Sequence, residues 1–145
     1  MSVIVLNTLT GAVTEYGSFE FESITPEYAA NDSGLYQLGG GLDDQQPIIS
    51  QIMTGLSQWE SSVRKSVPMV YFTLEHEGLG QLSVATPDQQ YDYLFPMRPS
   101  GESRAQPGRG IYSHALAFGY SNPDGDDFVL SRWDIDLKES PKRRV

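Results

Sequence analysis

From Gly110 to Tyr120 the side chains fall into two alternating sets. Tyr112, His114, Leu116, Phe118 and Tyr120 share one parity; Ile111, Ser113, Ala115, Ala117 and Gly119 share the other. Successive side chains of an extended chain point to opposite faces, so this period of two predicts a strand. Asn122-Pro123-Asp124-Gly125 then supplies the residue types of a reversing turn. A second strand follows, with Phe128 and Leu130 on one face and then Trp133, Ile135 and Leu137. The apolar parity switches near Ser131-Arg132, as a β-bulge would make it do. The pattern predicts one long β-hairpin ending in a basic tail, Lys138 to Val145.

The rest of the chain reads as shorter pieces of the same kind. Val3 to Leu6 and Ala12 to Tyr16 flank Asn7-Thr8-Leu9-Thr10-Gly11 and predict an opening hairpin. Phe19, Phe21 and Ile24 alternate with Glu20 and Glu22 in a third strand, which Pro26 ends. Asn31 to Gly34 is a turn before a short strand, Leu35 to Leu38, and Gly39 to Asp44 is a loop. Pro47 to Thr54 has apolar residues at both parities, the mark of a strand covered on both sides. Leu56, Trp59 and Val63 have helical spacing over only about two turns, so a helical turn and a loop are equal expectations. Met69 to Glu75 is a strand with Leu82-Ser83-Val84 pairing back on it, and Tyr91, Tyr93 and Phe95 mark another. Met97 to Arg109, with two prolines, two glycines, two serines and three arginines, reads as an exposed loop.

About nine short strands with regularly spaced turns indicate an all-β fold. The expectation is a β-sandwich-like domain over residues 63–145, preceded by an acidic N-terminal β-hairpin and extended docking region over residues 1–62. Composition agrees: 14 Gly, 9 Pro and a mean hydropathy of −0.36 suit a folded, β-rich chain of 145 residues. No apolar run approaches a membrane span, and the first residues lack the features of a signal peptide. The absence of cysteine excludes a disulfide framework, a thiol nucleophile and a cysteine zinc site, and suits synthesis in a reducing cytoplasm.

Charge is distributed unevenly. Residues 1–63 hold eight acids and no base, whereas residues 64–145 hold eleven acids and ten bases, within a net −9. The acidic half repels phosphate and anionic lipid, which argues against nucleic-acid and membrane partners and leaves a basic protein surface or plain solvation as its role.

Several blocks in order resemble a family of tailed-bacteriophage tail or minor tail virion proteins. They are Val13-Thr14-Glu15-Tyr16 with Phe19-Glu20-Phe21, Gly34 to Leu38, Pro47-Ile48-Ile49, Ile52 to Gly55, and Arg64 to Pro68 with Val70-Tyr71. The series continues with Gly108-Arg109-Gly110-Ile111-Tyr112-Ser113, Phe118, Asn122, Asp124 to Phe128 and Arg143-Arg144-Val145. At Ser113 to Ala117 the chain departs from the bulkier aromatic strand the family would have there. The resemblance implies a virion structural component made in the bacterial host cytoplasm. It would act through contacts with copies of itself and other virion proteins, with no cofactor and no catalytic residues.

The candidate chemistry reads mostly as architecture. His76, between Glu75 and Glu77, and His114 lack the partners of a catalytic or metal-binding histidine. Glu75 and Glu77 have no neighbour in sequence to separate their acidities for glycoside hydrolysis. Asp124-Gly125-Asp126-Asp127 has carboxylates for calcium without EF-hand spacing, so a plain turn is preferred. The interface expectation falls on Trp59, Tyr112, His114 and Phe118 as anchors and on Arg98, Arg104 and Arg109 as partners for carboxylates of an adjacent chain. The alternative is a carbohydrate-binding sandwich recognising a host surface glycan through its aromatic residues.

Overall fold

The structure, a computed structural model, describes residues 3–16, 20–43, 45–75, 77–99 and 101–140; for Val3, Val5, Thr14 and Tyr16 it describes the backbone alone. Phe19, Asp44, His76 and the basic residues after Ser140 lie outside the described residues. The fold is all-β: the described residues contain strands and no helix. The chain divides into two compact units, Met1–Gly40 and Gly41–Val145.

The N-terminal unit is two small sheets. Strands β1 (Val3–Leu6) and β2 (Val13–Tyr16) form the expected antiparallel hairpin, Leu6 opposite Val13. Its turn is built locally. The Asn7 side-chain oxygen accepts from the amides of Leu9 (3.0 Å) and Thr10 (3.2 Å), and Gly11 takes the left-handed φ of 73°. Strands β3 (Ser23–Ile24), β4 (Tyr28–Asn31) and β5 (Gly34–Gln37) form a meander. Asn31 repeats the device, accepting from Ser33 (2.9 Å) and Gly34 (3.2 Å). Pro26 sits in the β3–β4 turn, where Thr25 N–H donates to Tyr28 O (2.7 Å). β4 is absent from the sequence reading because Ala29, Ala30 and Asn31 carry no apolar alternation.

The C-terminal unit begins with a two-residue ladder, β6 (Leu42–Asp43) with β7 (Gln46–Pro47). Its body is two antiparallel sheets. The first contains β8 (Gln51–Met53), β10 (Gly78–Ala85), β11 (Gln90–Met97) and β13 (Ala117–Ser121), in the order β11-β10-β13-β8. The second contains β9 (Lys65–Glu75), β12 (Glu102–Ala105) and β14 (Val129–Glu139), in the order β12-β9-β14. One apolar cluster serves both sheets. Leu82, Val84, Phe95, Phe118 and Tyr120 come from the first, and Val70, Phe72 and Leu74 from the second. The Phe72 ring stacks on Phe95 at 4.9 Å and lies 5.5 Å from Tyr120, so the two inner faces meet through aromatics.

Three expectations are corrected. Gly110–Tyr120 and Phe128–Leu137 do not form a hairpin: β13 pairs with β10 and β8, while β14 pairs with β9. Residues 122–128 carry the chain from one sheet to the other. Both edges of β13 are taken, by β10 on one side and β8 on the other, so no edge is left for β14 to pair with. Likewise β10 pairs with β11 and β13 instead of folding back on β9. Residues 97–109 are not all loop, because β12 lies within them. Ser103 and Ala105 face inward, and such small residues give no apolar signal beside Glu102 and Arg104. The bulge near Ser131 is present, as a register shift between Leu130 and Arg132 in the pairing with β9. It lets Leu130 and then Trp133, Ile135 and Leu137 all pack against the core.

Candidate functional site

The seven expected interface residues separate into two clusters and two isolated positions. The first cluster is a loop, Ser57 to Lys65, tied to the segment that leads into β13. Ser57 and Leu116 exchange backbone hydrogen bonds (3.1 and 3.0 Å), as do Lys65 and Ser113 (2.8 and 3.1 Å). Between these ties Trp59 donates its indole N–H to Leu116 O (2.9 Å) and packs edge-on against Phe118 at 5.4 Å. His114 Nδ1 lies 2.9 Å from Ser62 O. The structure therefore brings Trp59, His114 and Phe118 together, in a packing role. Phe118 is wholly buried, and Trp59 is half-buried with its polar atom already bonded. The loop is no helical turn, for Trp59 (φ 47°) and Glu60 (φ 64°) are both left-handed.

Lys65 holds that loop in shape, and sequence reasoning overlooked it. The side chain is 2% exposed, and its ammonium donates to the carbonyl oxygens of Gln58 (2.7 Å), Val63 (3.0 Å) and Ser61. Three donors meet three acceptors, which is the condition for keeping a charge out of water. A single lysine at the start of an apolar strand carries no sequence sign of this. Asn122 is a second such residue. It is buried, accepts from Ser50 N–H (2.5 Å), and donates to Ile48 O (3.2 Å) and Asp126 O (3.0 Å), pinning the approach to β8 onto the inter-sheet turn.

The second cluster is a groove of about 220 Å³ lined by Ser66, Pro68, Pro107, Gly108, Arg109 and Tyr112 among others. It is a gap in a ladder. β12 pairs with β9 as far as Ala105 opposite Val70, and the next tie is Lys65 with Ser113. Four residues of β9 (66–69) thus face seven of the following segment (106–112). Pro68 and Pro107 lack the N–H that a continued ladder needs. Gly108 lies close over Tyr93, where a Cβ would sit 3.0 Å from the phenol oxygen. Tyr112 is 53% exposed, contrary to a packed strand face, because Ile111 and Ser113 take the inward positions.

The other two arginines are elsewhere. Arg104, on the outer face of the second sheet, lies 3.5 Å from Glu102 and over the Tyr71 ring at 5.9 Å. Arg98 is exposed before β12, its backbone N–H bonded to Ser103 Oγ (2.9 Å). Among the described residues no three His, Asp or Glu side chains converge to hold a metal, and Asp126 accepts instead from the Leu79 amide (3.3 Å). Glu75 and Glu77 are both exposed at the crossing between the two sheets. Burial, with a smaller push from the Asp126 carboxylate, raises the Tyr120 phenol from 10.0 to about 12. That phenol donates to Met97 Sδ (3.1 Å) inside the core.

Comparison with family models, with curated proteins and with solved structures finds no match.

Proposed function

We propose that this chain is a structural subunit, a tail-associated component of a bacteriophage virion, working through contacts between polypeptides and not through catalysis. One observation carries the reading. The first 53 residues expose a run of large apolar side chains, among them Leu9 (96%), Leu35 (72%), Ile4 (67%), Val13 and Ile49, while Ala29 is the one buried apolar residue described there. Apolar area of that kind is stabilised only when another surface covers it, which is how interfaces between subunits form. Support for the virion part is the ordered resemblance described above.

The assembly reading is tested with the purified full-length chain by sedimentation velocity across a concentration series. Self-association that is weakened by Leu9→Ser with Leu35→Ser is expected; a monomer at every concentration would overturn it. The virion part is tested by gene neighbourhood, where genes for a tape measure, tube or fibre are expected alongside.

A further inference from the structure

We propose that the groove between residues 66–68 and 106–112 receives a carboxylate-bearing segment from the N-terminal unit of a second copy of this chain. The proposal rests on the assembly reading above and names the receiving site. Arg109 supplies the charge: its guanidinium makes no ion pair with any described residue, unlike Arg104 and Arg132, which lie beside Glu102 and Asp134. Tyr112 supplies an exposed ring and a hydroxyl on the same wall. Guanidinium and phenol together suit a carboxylate followed by an apolar side chain. The N-terminal unit carries that composition: Glu15, Glu20, Glu22, Glu27 and Asp32, no base, with exposed Ile24 and Tyr28 among them and exposed Leu9, Val13 and Leu35 to either side. The walls are fixed in advance. Prolines keep the ladder open, and the Lys65–Ser113 tie closes its lower end, so little order must be gained on docking.

The test uses full-length protein. Arg109→Glu is expected to weaken self-association by about tenfold and to remove most of its salt dependence, whereas Arg98→Glu, an equal charge change outside the groove, leaves both near the wild-type values. Tyr112→p-benzoylphenylalanine, irradiated in a mixture of isotopically heavy and light chains, is expected to cross-link to residues 1–40 of the other isotopic form. Unchanged association of the Arg109→Glu chain overturns the groove proposal and leaves the assembly reading standing. Cross-links within one chain, or to residues 41–145 of the other, do the same. A wild-type chain that stays monomeric overturns both.

Discussion

The two units are built from the same material and differ in what that material buries. In the N-terminal unit the strands are two to four residues long and one apolar residue, Ala29, is buried among those described. In the C-terminal unit β9 and β14 run for eleven residues each, and Phe72, Leu74, Leu82, Val84, Phe118 and Tyr120 are wholly buried. Strand content alone therefore does not measure stability. A hairpin gains its backbone hydrogen bonds mostly in exchange for those with water, while a core gains roughly 25 cal/mol per Å² of apolar surface removed from water. The longer strands place several inward residues on one face, and a second sheet covers them. The shorter ones cannot.

Substitutions divide along the same line. The largest effect is expected from Phe72→Ala, which removes the ring between Phe95 and Tyr120 and should cost about 3–5 kcal/mol in chemical denaturation. A value under about 1 kcal/mol would contradict a single core shared by both sheets. Lys65→Met keeps the stem and strands three carbonyls, so a loss of about 3 kcal/mol is expected, with faster amide exchange confined at first to residues 57–65. Gly125→Ala is next. At φ 75° a Cβ would come 2.4 Å from Pro47 Cβ, and about 1–3 kcal/mol is expected.

The fourth expectation concerns alkaline pH. The Tyr120 phenol ionises near 10 when unfolded and near 12 when folded, so between those values the unfolded chain has lost a proton that the folded chain keeps. Stability is then full below pH 10 and falls as pH climbs through about 12. Tyr120→Phe should flatten that decline; a decline unchanged in the variant would assign it to other groups. The smallest effect on stability is expected at the exposed positions of the N-terminal unit. Leu9→Ser and Leu35→Ser should move the C-terminal unfolding transition by less than about 0.5 kcal/mol while reducing association.

Sequence alone makes the local features of this fold readable. The β1–β2 hairpin, the Asn31 turn and the bulge after Leu130 all follow from residues within a few positions of one another. What stays hidden is which sheet a strand joins. Asn122 to Gly125 announces a reversal, and nothing in those residues says that β14 will lie beside β9 instead of β13. The edges of β13 are taken by β10 and by β8, where Gly119 leaves room for Met53, a residue far away along the chain. The site divides in the same way. Trp59, His114 and Phe118 stand out in the sequence as large ring side chains, but their meeting in one packed cluster does not, and Lys65 is not legible at all. Arg109 and Tyr112 share a groove because two prolines interrupt a ladder whose partners are distant in sequence.

From β8 to β14 the strands visit the two sheets almost in turn, β10 to β11 being the one step that stays in place. On a ribosome this means that β9, emerging early, has no lateral neighbour on either side until β12 and then β14 have been synthesised. Its two edges, with their unpaired N–H and C=O groups, spend that interval open even though Phe95 on β11 can already reach Phe72. Nascent chains should therefore depend on chaperones late into translation, and yield in expression should respond to growth temperature more than to codon choice.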